Sequence, residues 1–249
     1  MLMKAYLLAA GRGERLRPLT DRVPKCLVPI AGRPLLAHWL ELFHAHNVDE
    51  VLINTHHLAE QVREFVRAHR PPPRVILVHE PELLGTAGTV QANRGFVECE
   101  PDFLVAYADN LTRADLTSLV VFHRRRGALV TIALFHAPDP TRCGIAQLAA
   151  DGRVTAFVEK PEHPQTDLAN AGIYAMSSDI FDYLGDQTPL RLRSGQALDF
   201  GRDVFPRLIA DGAAVYGWET TAYHLDIGTP AALAQAERDV AAWSQEARA

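Results

Sequence analysis

The stretch "LAAGRGERLRPLT" (Leu8 to Thr20) places two glycines, three arginines and a proline directly behind a short apolar run. That run, Ala5 to Ala9, is bounded by glycine and predicts a fully buried strand near the start of a sheet. The loop then leaves the carboxyl end of the strand, which in an open α/β sheet is the edge where ligands bind. Glycines let backbone N–H groups approach an anion closely, and Arg12, Arg15 and Arg17 add positive charge beside it. The loop reads as a phosphate cradle. Two other phosphate motifs do not fit. Leu16 stands where a dinucleotide fingerprint needs its third glycine, which counts against a dehydrogenase, and no Gly-x-x-x-x-Gly-Lys-Ser/Thr run occurs. A plain glycine turn with solvated arginines is the competing reading of the loop taken alone.

Outward from this loop, strand and helix patterns alternate. Pro34 to Val48 carries apolar residues at helical spacing, Glu50 to Asn54 is a strand, and Leu58 to His69 is an amphipathic helix ended by three prolines. Arg74 to His79 and Phe103 to Ala108 follow as strands, with a short helix from about Thr89 to Val97 between them. A helix near Leu116 to Arg126 and a strand from Ala128 to Phe135 close this half. The pattern predicts a mixed, mostly parallel α/β sheet with helices on both faces. The second half changes rhythm. Gly144 to Leu148, Val154 to Glu159, Ala171 to Ala175, Ala213 to Gly217 and Tyr223 to Asp226 are short strands, with helices around Asp179, Asp203 to Ala210 and Ala231 to Trp243. They are expected to extend the sheet and fold over the first half.

With 249 residues, 48% of them hydrophobic, the chain can bury a sizeable core, and no composition break divides it. We therefore expect one domain over residues 1–249. A net charge of −5 gives no support for bulk nucleic-acid or membrane binding. Cys26, Cys99 and Cys143 form no C-x-x-C pair, which fits neither a disulfide framework nor a zinc site and suits a reducing cytoplasm. No apolar stretch approaches the roughly 18 residues of a membrane span, and no export signal is evident.

Four further stretches give the loop its meaning. In "VPKCLVPIAGRPLL" (Val23 to Leu36), the prolines hold Lys25 as a point charge for phosphate rather than as an ordinary surface lysine. In "EPELLGTAGTV" (Glu80 to Val90), Gly85, Ala87 and Gly88 offer a flat surface for a nucleobase; equally, Thr86 could cap a helix. "FLVAYADN" (Phe103 to Asn110) ends a buried strand in Asp109, either a Mg²⁺ ligand facing phosphates or a cap for the next helix. "HLDIGTP" (His224 to Pro230) presents Asp226 in the same way. "FVEKP" and "NAGIYAM" add Glu159, Lys160 and Asn170, the mix a sugar phosphate requires: Lys160 for phosphate, Glu159 and Asn170 for hydroxyls. Three lesser features read as structural. Asp199-Phe200-Gly201 lacks every other kinase motif. His56-His57 lacks the H-E-x-x-H pattern and suits a turn or ligand rim, and Arg124 to Arg126 end a helix as a solvated face.

Taken together and in this order, "GRGERLRPLT" with Pro24-Lys25, Leu84-Gly85-Thr86-Ala87-Gly88, Asp109, Glu159-Lys160-Pro161, Asn170-Ala171-Gly172 and Asp226-Ile227-Gly228 resemble the sugar-1-phosphate nucleotidylyltransferases. Those enzymes join an NTP and a sugar 1-phosphate into an NDP-sugar and pyrophosphate. The resemblance implies a Rossmann-like nucleotide-diphospho-sugar transferase fold. About residues 1–135 would form a nucleotide-binding half and about 136–249 a sugar-phosphate-binding half. It implies that Ala9, Gly11, Gly13, Gly85, Thr86 and Gly88 line the nucleotide and that Arg15 and Lys25 hold its phosphates. Asp109 and Asp226 would hold Mg²⁺; Gly144, Glu159, Lys160, Asn170 and Gly172 would hold the sugar phosphate. Arg15, Lys25, Asp109 and Lys160 would carry the catalysis. Two departures stand out: Ala10-Gly11 where many members have Gly-Gly, and Ala108 before the metal acid where glycine is usual.

The Leu-Gly-Thr-Ala-Gly turn is similar to that of mannose-1-phosphate guanylyltransferases, which favours GTP and mannose 1-phosphate as substrates. Uridylyl or thymidylyl transfer to a heptose, glucose or N-acetylmuramate 1-phosphate is the alternative. A catalytically silent nucleotide-sugar-binding regulatory protein is the alternative of another class. No β-helix repeat follows the core, so no second acetyltransferase activity is expected. A homodimer is allowed, though nothing in the sequence specifies one.

Overall fold

The computed structural model describes residues 3–69, 72–185 and 196–246. In chain order its elements begin with β1 (Met3–Leu8), β2 (Pro29–Ile30), β3 (Arg33–Pro34), α1 (Leu35–Ala45), β4 (Val48–Thr55), α2 (Ala59–His69) and β5 (Arg74–His79). They continue with α3 (Thr86–Ala92), β6 (Asp102–Tyr107), β7 (Asn110–Thr112), α4 (Leu116–Arg126), β8 (Val130–His136), β9 (Gly144–Leu148), β10 (Val154–Glu159) and β11 (Leu168–Ser177). The chain ends in α5 (Ile180–Tyr183), α6 (Phe205–Ala210), β12 (Val215–Glu219), β13 (His224–Asp226) and α7 (Pro230–Glu246).

Alternation along β1 decides the layering, because successive side chains of a strand point to opposite faces. Ala5 and Leu7 join a core that includes Leu35, Trp39 and Phe43 of α1, Val62 of α2, Leu119 of α4 and Ala236 of α7. Tyr6 joins the opposite core, with Val90 of α3, Ile180 of α5 and Phe205 and Leu208 of α6. All three β1 residues are fully buried. Helices therefore cover both faces, and none is long and apolar enough to cross a membrane among the described residues.

The sheet has nine strands. Its main path runs β10-β9-β11-β6-β1-β4-β5, with β8 beside β11 and β12 beside β8. β1 pairs in parallel with β4 and β6, and β4 with β5. β11 joins β6 antiparallel and also pairs antiparallel with β8, so a second-half strand is inserted between two strands of the first half. As expected, second-half strands extend the sheet; the structure corrects the expectation that they fold over the first half, since β9, β10, β11 and β12 lie within the sheet and β13 leaves it. A separate two-stranded ribbon pairs β7 with β13, placing Asn110 opposite Asp226. The expected strand at 171–175 is the middle of a ten-residue strand, and the helix expected from about Thr89 begins at Thr86.

Candidate active site

β1, β4, β5 and β6 end at one edge of the sheet; the segments that follow them build one cavity, and residues of the second half build most of an adjoining one. The basic loop folds back on itself. Gly13 adopts φ 65°, and Thr20 Oγ1 donates to its carbonyl at 2.8 Å. After Pro24 a single 3-10 turn, Lys25–Leu27, carries Lys25 inward until it is 8% exposed. Its ammonium lies 2.8 Å from Asp109 Oδ2 and 3.3 Å from Asp226 Oδ1. Arg15 reaches the other oxygen of Asp226 at 3.1 Å. A buried lysine needs such pairing, which answers the alternative of an ordinary surface lysine. Asp109 is equally not a helix cap, because Asp115 caps α4 by accepting from Ser118 N.

The first cavity, about 230 Å³, is lined by Leu8, Ala9, Ala10, Gly11, Lys25, Asn54, Glu80, Leu83, Gly85, Thr86, Thr89, Tyr107 and Asp109. Its wall is braced by polar side chains at the end of β4. Asn54 Oδ1 accepts from Ala9 N at 2.7 Å, while Asn54 Nδ2 donates to Glu80 Oε1 at 2.9 Å. Thr89 Oγ1 donates to that same oxygen at 2.6 Å, so buried Glu80 is an acceptor already ordered by its neighbours. Asn54, Glu80, Thr89 and Tyr107 were not singled out from the sequence; strand-end polar residues in buried runs were the available signal.

Gly85 turns at φ 81°, and a Cβ there would lie 2.5 Å from the Leu198 carbonyl oxygen. Ala87 N and Gly88 N both donate to that carbonyl. Thr86 does not cap α3; its hydroxyl donates to Asp199 Oδ2 and accepts from Phe200 N. The Asp-Phe-Gly stretch is thus the clamp that holds the turn at 84–88. Two glycines assigned to the nucleotide stand behind the cavity wall. Gly13 packs against Thr20 Cγ2 and the Lys25 side chain, and Gly88 is buried within α3; neither lines the cavity.

The second cavity, about 710 Å³, gathers Arg15, Asp109, Gly144, Glu159, Lys160, Asn170, Gly172 and Asp226. Missed by the sequence reading, Cys143, Asp199, Gly201 and His224 also line it. Gly144 and Gly201 flank the Glu159 carboxylate, whose Oε2 would lie 2.6 and 2.9 Å from a Cβ at either position. Lys160 holds φ 49°, unusual for a non-glycine, and its ammonium sits 3.6 Å from Glu159 Oε1. Asn170 is ordered at both ends, donating to Tyr174 OH and accepting from Gly172 N, each at 2.8 Å. Gly172, at φ 64°, lies under the Tyr107 ring. Burial holds the Tyr107 and Tyr174 phenols above their ordinary range, so both stay protonated donors. Burial also lowers the His224 imidazole to about 4.

Asp109 and Tyr107 line both cavities, so the carboxylate pair stands where they meet. Two carboxylates converging on one ammonium are a donor set that fits a hard divalent cation, which takes one or two carboxylates and completes its shell with water and phosphate oxygens. No group of three such ligands occurs among the described residues, which offer the cation this pair.

Residues 4–242 match the nucleotidyl transferase family. The chain belongs to this family. It is 34% identical over 238 residues to a mannose-1-phosphate guanylyltransferase of Mycobacterium tuberculosis, covering 95% of this chain and 64% of that protein. It is 32% identical over 253 residues to a UTP–glucose-1-phosphate uridylyltransferase of Synechocystis, covering 96% and 63%. This nucleotidyl transferase chain therefore spans just under two thirds of the length of those relatives. In structure it is similar to HddC from Yersinia pseudotuberculosis, with a TM-score of 0.80 at 24% identity over 96% of this chain and 100% of that one. A Bacillus anthracis structure assigned as a glucose-1-phosphate thymidylyltransferase gives a TM-score of 0.82 at 22% identity, over 95% and 94%. Those two likenesses establish the Rossmann-like fold.

Proposed function

We propose that the protein transfers a nucleotidyl group from an NTP to a sugar 1-phosphate, releasing pyrophosphate. The observation that carries this is the position of Asp109 on the shared wall of the two cavities, with Lys25 bridging it to Asp226. The nucleotide occupies the first cavity, built from residues 8–109, and the sugar phosphate the second, so the two halves divide the substrates. A phosphate oxygen of the sugar phosphate attacks the α-phosphorus, the bond to the β-phosphate oxygen breaks, and pyrophosphate leaves with that electron pair. No protein nucleophile is required. The chain's work is positioning and charge neutralisation. Lys25 faces the nucleotide phosphates from the first cavity, Arg15, on the second cavity's wall beside Asp226, neutralises charge where the two substrates meet, Lys160 faces the sugar phosphate, and Glu159 and Asn170 orient hydroxyls. A Mg²⁺ ion held by Asp109 and Asp226 would supply further neutralisation where two anions must meet.

GTP and mannose 1-phosphate are the favoured pair. Glu80 borders the first cavity, and its Oε2 accepts only a long bond from Leu84 N at 3.3 Å, which leaves one lone pair for a base donor; guanine presents adjacent N1–H and N2–H donors, whereas uracil presents one donor between two acceptors. The guanylyltransferase relative supports the same pair, and the uridylyltransferase relative supports UTP with glucose 1-phosphate as the second reading. Pyrophosphate release with Mg²⁺, across GTP, UTP, dTTP, CTP and ATP against mannose, glucose and heptose 1-phosphates, tests both. Turnover with GTP and mannose 1-phosphate alone is expected. Nucleotide binding without turnover on any of these pairs would instead favour a silent sensor.

A further inference from the structure

Four consecutive residues at and just after the end of β4 tie together the segments that flank the nucleotide cavity, three of them through Glu80 and the fourth through Thr20. Asn54 holds Ala9 N and Glu80. Thr55 receives Glu80 N on its carbonyl at 2.8 Å and donates its hydroxyl to Val78 O. His56 Nδ1 lies 2.8 Å from Glu80 O, the entrance to the 80–88 turn. His57 Nε2 lies 2.8 Å from Thr20 O, on the basic loop. Both histidine partners are carbonyl oxygens, which only accept, so both ring nitrogens carry hydrogens and donate. The next residue, Leu58, has φ 52°, a left-handed conformation costly for a branched side chain. The two histidines just before that bend bond to different segments, His56 to the 80–88 turn and His57 to the basic loop.

We infer that His57 is a positioning residue for the nucleotide, holding the basic loop in the conformation that presents Arg15 and Lys25. The contacts form a continuous chain. His57 fixes the Thr20 carbonyl, the Thr20 hydroxyl fixes the Gly13 carbonyl at 2.8 Å, and Gly13 packs on Lys25. A second tie from α2, Gln61 Nε2 to Arg22 O at 2.8 Å, holds the same loop further along. The loop has few apolar anchors of its own, Leu16 being buried and Leu19 exposed, so its shape depends on these polar ties. His56 holds the base turn from the same point, making the dipeptide a brace between the phosphate-facing and base-facing walls.

The inference rests on the nucleotide-binding reading above, and binding of GTP without sugar phosphate tests it directly. In calorimetric titration with GTP and Mg²⁺, His57→Phe keeps the ring volume and removes the donor. GTP affinity is expected to fall about five- to tenfold, the loss of one hydrogen bond with some loop disorder. His57→Gln, which restores an N–H donor, should recover most of it. In turnover assays the KM for GTP should rise while that for sugar 1-phosphate stays within about twofold. Thr20→Val removes the next link with little change in shape and should weaken GTP similarly. The double variant should lose less than the sum of the two, because both cut one chain. Unchanged GTP affinity in both single variants overturns the inference, as does a lowered melting temperature without a change in affinity. Additive losses overturn the chain of contacts. Wild-type protein that binds no nucleotide overturns the functional reading as well, which separates the two failures.

Discussion

The backbone amide of Ile227 donates to the carbonyl of Asp109 at 2.9 Å. This bond continues the β7–β13 ribbon, in which Asn110 faces Asp226, and brings two carboxylates distant in sequence onto one lysine. Removing either end of that arrangement should stop turnover without unfolding the chain. Asp109→Ala and Lys25→Ala are each expected to lower kcat about 100- to 1,000-fold, the range seen when one preorganised charge-stabilising group is lost. Asp109→Ala should leave the melting temperature near wild type, since its side chain is 40% exposed. Lys25→Ala should lower it, because Asp109 then faces Asp226 without its own cation and Arg15 is left to offset both. Pyrophosphate release and thermal melts on the purified variants check both.

Gly228 governs how closely Arg15 approaches. A Cβ placed there would lie 2.5 Å from Arg15 Nη2 and 2.7 Å from Asp226 Oδ2. Gly228→Ala should therefore displace the Arg15 guanidinium, the far end of a flexible side chain, rather than the backbone. The expected outcome is about a tenfold loss in kcat/KM, or roughly 1.4 kcal/mol, with little change in urea midpoint. An equal loss of stability would mean that the glycine serves the turn and not the arginine.

Gly85 should behave in the opposite way. Its φ of 81° with ψ 169° lies in a region nearly restricted to glycine, and the obstruction is Leu198 backbone rather than a movable side chain. Gly85→Ala is expected to destabilise the fold by about 2–4 kcal/mol, combining backbone strain with displacement of the Leu198 clamp. Urea denaturation measures it, and a midpoint like wild type would sink the account.

Much of this site was legible because its parts are local patterns. A buried run ending in an acid marks Asp109 whatever surrounds it, and prolines on either side of Lys25 point to a held side chain. What escaped is set by tertiary packing. Leu198 meets Gly85 only once the chain has passed through the second half of the sheet, and nothing near Leu198 signals that contact. Gly13, packed on Thr20 and Lys25, shows a limit of such patterns. A glycine needed for a close internal approach looks the same in sequence as one that admits a ligand. That the second-half strands would extend the sheet was legible, but their neighbours were not: short alternating strands specify which face is buried but not which neighbour they pair with.

Asp102 tests whether stability and activity can be separated along a single strand. It opens β6, while Asp109 follows the strand's other end, so Asp102 lies at the sheet edge remote from both cavities. The imidazole of buried His123, 3.5 Å away, does most to hold the Asp102 carboxyl below its ordinary range; burial works against this, and Arg124 at 2.8 Å adds to it. A carboxyl whose folded pKa is depressed contributes its full stability above the unfolded value near 3.8 and loses it as pH falls through the folded pKa. Asp102→Asn should therefore cost about 1–2 kcal/mol at pH 7. The gap from wild type should narrow as pH drops below about 3.8. Urea melts at pH 7, 5 and 3 read the stability gap, and pyrophosphate release at pH 7 should match wild type. A constant gap across that range would show that the side chain acts through packing, and altered turnover would show that the far edge of the sheet communicates with the cavities.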